Sequence, residues 1–214
     1  MFPPELSEAR IAWTLTCVLV TVLDDVFDVA GSREENENLA MLIDRWDTHG
    51  EIGFCSEHVE IAFRAVYETS KQLGAKAAAV QNRSVVHHIA EMWADVARAM
   101  LTEAEWRMNG YVPLPSMEEY MRVAEVSWGL GPILPATLYF VGPELPEEVV
   151  RCPERKLLRL VLAEGSAVPR PCKQVFWDMW KVMELFYRET DGYQPKEMRG
   201  AEDAVLHEPL LVGA

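Results

Sequence analysis

The chain has 214 residues, a formal net charge of −14 and 50% hydrophobic residues. That length supports one domain with a substantial core, and the composition is that of a soluble globular protein. The acidic balance argues against nucleic acid or an anionic membrane as partner, because both need basic patches; an anionic ligand would require bound cations to reverse the field.

The start, "MFPPELSEAR", lacks the basic leader of a signal peptide. Ser7 is placed to cap a first helix that runs through the apolar stretch "IAWTLTCVLVTVL" to about Val29 and stops at Gly31. About thirteen apolar residues are too few to span a membrane, so this stretch reads as a buried helix. "GSREENENLAMLIDRWDTHG" begins acidic, which suits a helix N-terminus, and turns amphipathic through Leu39, Leu42, Ile43 and Trp46. Ser56 is a candidate cap for the next helix, with Val59, Phe63, Val66 and Tyr67 on one face.

Val85, Ile89, Met92, Trp93, Val96 and Met100 recur three or four apart and predict an amphipathic helix through about Trp106. After the loop "NGYVPLP", Ser116 and Glu119 form a capping-box pattern that opens another helix. "GLGPILPATLYFVGP" is apolar but broken by Gly129, Gly131, Pro132 and Pro135, which predicts a kinked helix. Helical patterns continue in "RKLLRLVLAEG", in "CKQVFWDMWKVMELFYRE" and near Lys196 to Leu206. No segment reads as a strand, so the expected fold is all-α, a helical bundle in one domain spanning 1–214. Cys17, Cys55, Cys152 and Cys172 stand apart with no Cys-x-x-Cys pair, as free thiols in a reducing compartment would.

The chemistry concentrates where the first apolar helix ends. Asp24 and Asp28 are four apart and share a helix face, and Asp25 is three from Asp28. No Lys or Arg lies between Arg10 and Arg33 to offset them. Acids at the end of a buried helix are unfavourable unless paired or bound to metal. Carboxylates without His or Cys partners favour a hard ion such as Mg²⁺, which takes one or two carboxylates and completes its shell with water and phosphate oxygens. A solvated helix end is the simpler alternative. The apolar run leading directly into the acids favours a site. His87 and Glu91, four apart, read as a solvated helix face, and Glu103 and Glu105 as surface or loop-anchoring acids.

The stretch "PELSEARIAWTLTCVLVTVLDDVFDVAGSREENENLAMLIDRWD" resembles the metal-binding half of plant class I terpene synthases, most of all the ent-kaurene synthase-like diterpene branch. The likeness continues in order through "CSEHVEIAFRAVYETSKQLG", "YVPLPSMEEYM", "GLGPILPATLYFVGPELPEEVV" and "AVLHEPL". The family's aspartate-rich motif matches Asp24, Asp25 and Asp28 position for position. The resemblance implies Mg²⁺, with Mn²⁺ as a substitute, and a copalyl-type prenyl diphosphate that ionises and cyclises to a diterpene hydrocarbon. It implies a plastid location as well. It also implies an aromatic-lined pocket. Trp13, Phe27, Trp93, Trp106, Trp128, Tyr139 and Phe140 are candidates for its wall, with plain core the simpler reading for each. Ile133 matches a position that influences product outcome, and Tyr193 lies in a loop, "TDGYQP", resembling one that closes over the pocket mouth.

The chain departs from the family in two places. It starts after the earlier helices and an upstream arginine segment that helps hold diphosphate. It also lacks the second metal motif, Asn/Asp-x-x-x-Ser/Thr-x-x-x-Glu, and the arginine before it: "FVGPELPEEVVRCPE" runs straight into "RKLLRLVLAEG", which places an internal gap between about 153 and 156. The expectation is an incomplete bundle: a diterpene synthase by resemblance, or a poor or dead catalyst from an active family that binds diphosphate or pairs with an intact homologue, with a non-enzymatic helical scaffold as the remote alternative.

Overall fold

The computed structural model describes residues 4–110, 117–146, 149, 165, 170–175 and 177–178. Every element among them is helical. The chain divides into two compact units, Phe2–Lys173 and a second formed by Met1 with Gln174–Ala214. In the second unit, the described residues are helical, and Gln174 Nε2 donates to Asp178 Oδ1. The Ser116 capping box, the helices expected in "RKLLRLVLAEG" and near Lys196 to Leu206, Tyr193 and the expected gap all lie outside the described residues.

The first unit contains α1 (Ser7–Asp25), α2 (Arg33–Asp44), α3 (Glu57–Gln81), α4 (Val86–Met108), α5 (Met117–Ser127) and α6 (Leu130–Leu138). Helix α4 is the central element, packed by α2, α3, α5 and α6. Its buried stripe includes Ile89, Trp93, Val96, Ala97, Met100 and Ala104, the three-and-four spacing of one helix face. Met92, expected on that face, is half-buried at its edge. Leu39, Leu42 and Ile43 of α2 and Phe63 and Val66 of α3 complete the core. Beside them, Trp46, Phe63 and Tyr67 cluster, with the Phe63 and Tyr67 rings stacked at 5.4 Å.

Two starting points differ from the sequence pattern. Ser7 does not cap α1: Leu6 holds the cap position without a side-chain bond, and a 3₁₀ turn over Pro4–Leu6 leads in. Ser32 caps α2 in a full capping box, accepting from the Glu35 amide while Glu35 reaches back to the Ser32 amide at 3.0 Å. Glu35 also accepts from the Ser56 hydroxyl at 2.7 Å, and Ser56 caps α3. One carboxylate thus ties two helix starts together. The Ser32 amide, the Ser56 hydroxyl and the Ser32 hydroxyl hold the Glu35 carboxyl down at about 2.

Helix α1 buries Ala9, Ala12, Thr16, Leu19, Val20 and Leu23, chiefly against α6 and α3. Ile11, Leu15, Val18 and Val22 stay exposed on another face. The helical run Pro4–Ala30 is long and apolar enough to cross a membrane by length and composition. It therefore exceeds the thirteen-residue estimate, which counted only the uninterrupted apolar core and left out the flanking turns. A core helix with one packed face passes the same test.

Helix α6 crosses α1 closely. Gly129, its cap, has φ +77°, and a Cβ there would lie 2.4 Å from Val20 Cγ1. Both the left-handed backbone and the approach to α1 require glycine. Pro132 sits in the first turn, where its missing N–H costs little; Pro135 lies inside the helix and leaves the Gly131 carbonyl without its helical donor. Gly129→Ala is expected to destabilise the fold by about 2–4 kcal/mol, combining left-handed strain with overpacking against Val20. Thermal melts should show a midpoint lower by roughly 4–15 °C. An unchanged midpoint would mean that α1 and α6 do not approach as described.

Candidate metal site

Leu23 and Phe27, one turn apart, are fully buried and carry the apolar face of α1 to its end. Asp24, Asp25 and Asp28 project from the exposed side of the same turns. The helix does not stay α-helical through the motif. Val26–Ala30 forms a π-helical turn, closed by the Gly31 amide donating to the Val26 carbonyl at 2.8 Å. Such wider turns recur at functional sites. Gly31 is required here by space. A Cβ would stand 2.6 Å from the Val26 carbonyl oxygen and 2.2 Å from Asn36 Oδ1.

Two side chains hold the Phe27 carbonyl inside this turn. Asn36, fully buried on α2, donates through Nδ2 at 3.1 Å. Arg107, in the last turn of α4, donates through Nη2 at 2.7 Å and through Nη1 to Asp28 Oδ1 at 3.1 Å. The motif is therefore positioned by α2 and α4, not by α1 alone.

A fourth acid faces it. Glu103 lies one turn before Arg107 on α4, half-buried near Ser127 of α5. Burial pushes its carboxyl up; the Ser127 hydroxyl opposes this, and the charges of Asp28 and Asp24 add to the rise. Asp24 is also raised, first by burial, then by Asp28 and Asp25. The cluster is thus negative, repels itself and is reached by solvent. The sequence pattern alone makes Glu103 a surface or loop-anchoring acid. The structure turns it towards the aspartates because the end of α4 packs on the π turn.

No group of three or more His, Cys, Asp or Glu side chains among the described residues is drawn together tightly enough to hold a metal ion. The donor set still fits a hard dication. Mg²⁺ needs one or two carboxylates, taking its other ligands from water and phosphate, and these acids repel one another in its absence. A softer metal would want His or Cys, and the two acid-flanked histidines lie elsewhere on the surface: His87 pairs with Glu91 at 3.2 Å on an exposed face, and His58 approaches Glu35.

The expected pocket residues are scattered. Trp13 is half-buried three turns before Asp24 on α1. Phe27 packs into the core beneath the motif. Ile133 is buried in α6, which packs against α1. Tyr139 is fully buried; its hydroxyl meets His88 Nδ1 at 2.5 Å and its carbonyl accepts from Gln81 Nε2 at 2.9 Å. His88 lies in the first turn of α4 and Glu103 near its last, so Tyr139 is anchored about 22 Å along that helix from the acids.

Glu103→Gln is expected to raise thermal stability in EDTA at neutral pH. A carboxyl raised in the folded state binds its proton more tightly there than when unfolded. Its ionisation therefore lowers stability as pH climbs through the folded value, and the glutamine variant escapes that loss. The gain should be present above the ordinary glutamate range and vanish by about pH 3, where the glutamate is protonated in both states. Melts across that range check it; a gain independent of pH would place the effect in packing, not charge.

An all-α bundle carrying an aspartate cluster at a helix end is the architecture of class I isoprenoid synthases. The chain belongs to the terpene synthase family: residues 1–161 match the model described as "Terpene synthase family, metal binding domain". It is 50% identical over 273 residues to a chloroplastic dolabradiene synthase of Zea mays, covering 99% of this chain and 32% of that protein. It is 45% identical over 272 residues to the chloroplastic ent-kaur-16-ene synthase of Oryza sativa subsp. japonica, covering 98% of this chain and 36% of that one. The chain thus spans about a third of the length of these relatives. Among solved structures it resembles abietadiene synthase from Abies grandis, with a TM-score of 0.65 and 30% identity over 75% of this chain and 21% of that one. It shares the fold of isoprene synthase from grey poplar, solved with three Mg²⁺ ions and dimethylallyl-S-thiolodiphosphate, with a TM-score of 0.66 and 21% identity over 88% of this chain and 34% of that one.

Proposed function

We propose that this chain binds a copalyl-type prenyl diphosphate at Asp24, Asp25 and Asp28 through Mg²⁺, or Mn²⁺ in its place, and that its cyclisation activity is severely impaired. The observation that carries the binding reading is the solvent-reached, self-repelling acid cluster at the end of the buried α1 face, with Asp24 and Glu103 both raised, first by burial and then by their acidic neighbours. The bound ions would supply charge neutralisation for the diphosphate as its allylic C–O bond breaks and the electron pair leaves with oxygen. The chain's own part is to hold the acids in place through Asn36 and Arg107 and to close off water behind them with Leu23 and Phe27. A plastid location is part of this reading, supported by the chloroplastic relatives.

The impaired activity rests on a second observation. The match to the maize relative runs over 273 residues while this chain has 214, so at least 59 aligned positions have no counterpart here. That difference supports unmatched stretches within the aligned span, and we place the main one between about 153 and 156, where the family's second metal motif is expected. Calorimetric titration of the purified chain with a prenyl thiolodiphosphate, with and without Mg²⁺, tests the binding. Heat that requires Mg²⁺ is expected; equal heat without it, or none at all, would end the proposal.

A further inference from the structure

We propose that Arg107 is an internal counterion for the aspartate motif that gives up Asp28 when a divalent cation binds, so that it competes with metal in the empty chain. This rests on the metal reading of the aspartates given above.

The geometry is a two-point fork. Nη1 donates to Asp28 Oδ1 at 3.1 Å, and Nη2 donates to the Phe27 carbonyl at 2.7 Å. The guanidinium therefore covers one carboxylate oxygen of the motif and the backbone oxygen of the preceding residue. A planar fork suits such a pair of acceptors, where a lysine would reach only one. The Phe27 carbonyl does not depend on Arg107, since Asn36 also donates to it. The π turn can thus keep its shape when the guanidinium releases Asp28.

Both partners are open to solvent: the Asp28 side chain is 51% exposed and that of Arg107 43%. An ion pair this exposed is weak, and a dication next to several carboxylates outweighs a single guanidinium. Asp24 and Glu103 also face Asp28, so the net charge around it stays negative with Arg107 in place. Among the ion pairs described for the three aspartates, the one to Arg107 is the only cation contact. Its position in the last turn of α4 is favourable by itself, so the residue is retained by the helix with or without Asp28.

The test is Mn²⁺ binding by electron paramagnetic resonance, with Mg²⁺ as competitor, on the wild type, Arg107→Gln and Arg107→Lys. Arg107→Gln is expected to bind Mn²⁺ about fivefold more tightly. It should melt at a lower temperature in EDTA and gain more on adding Mg²⁺ than the wild type does. Arg107→Lys, which keeps the charge, should bind close to wild type. Equal or weaker Mn²⁺ binding by Arg107→Gln would overturn the proposal and make the arginine a fixed positioning residue. A second measurement needs no loss of the residue: the Nε–H signal of Arg107 in the wild type should shift as Mg²⁺ is added, and a signal unmoved at saturation also overturns it. Failure of the underlying metal reading looks different. The wild type itself would then bind no Mn²⁺ that Asp24→Ala removes, and the proposal would fall with it.

Discussion

If the proposed gap between residues 153 and 156 is real, inserting the maize relative's counterpart segment there is expected to raise turnover of copalyl diphosphate by at least about a hundredfold. The family resemblance places a second metal motif in that segment, and the sequence here contains no Asn/Asp-x-x-x-Ser/Thr-x-x-x-Glu spacing. The diphosphate would therefore be met by carboxylate-held charge from one side only, that of Asp24, Asp25 and Asp28. Losing one protein-held cation from a developing diphosphate removes several kcal/mol of transition-state stabilisation. At about 1.4 kcal/mol per tenfold, that is roughly a hundredfold to many thousandfold in rate. Hydrocarbon product is read by gas chromatography for the original chain, the restored chain and a restored chain with the inserted motif's acids changed to alanine. The restored chain should be active and the alanine version should fall back. Strong product from the original chain would show that one motif suffices and would sink the impaired reading.

The helical framework was legible because it rests on short-range periodicity. The stripe Ile89, Trp93, Val96 and Met100 is buried as its spacing requires, and Ser56 caps α3 where the pattern placed it. Ser32 with Glu35 is an equally local signal, Ser-x-x-Glu, that was present in the sequence and read only as an acidic helix start. The π turn was not legible. An i, i+4 reading carries Asp24 and Asp28 along a straight α-helix, whereas the turn at Val26–Ala30 is held by Asn36 and Arg107, nine and eighty residues from Phe27. Glu103 shows the same limit. Its spacing from Arg107 hints at a shared face, but only the packing of α4 on the end of α1 turns that face towards the acids. Tyr139 is ambiguous from sequence for a related reason. An aromatic in an apolar run looks the same whether it meets a ligand or, as here, His88 and Gln81 in the core.

Replacing Asp24 by alanine is expected to reduce Mg²⁺-dependent binding of a prenyl thiolodiphosphate by at least about a hundredfold while leaving the metal-free fold as stable or more stable. The two readouts move oppositely for a physical reason. Loss of one carboxylate from a small hard-ion site removes a direct ligand, which exceeds the ten- to hundredfold typical of supporting partners. Stability follows the proton. Burial, Asp28 and Asp25 raise the Asp24 carboxyl, so its ionisation opposes folding as pH rises above the ordinary aspartate range, and removing it removes that penalty. The stability gain should therefore be present at neutral pH in EDTA and fade on acidification. Asp25→Ala should share the binding loss. A structural aspartate would behave differently, with binding and melting temperature falling together in the metal-free protein. Calorimetry and thermal melts on the same preparations separate these cases. A variant that keeps full Mg²⁺-dependent binding would remove Asp24 from the site, and one that unfolds without metal would place it among the residues that hold the end of α1.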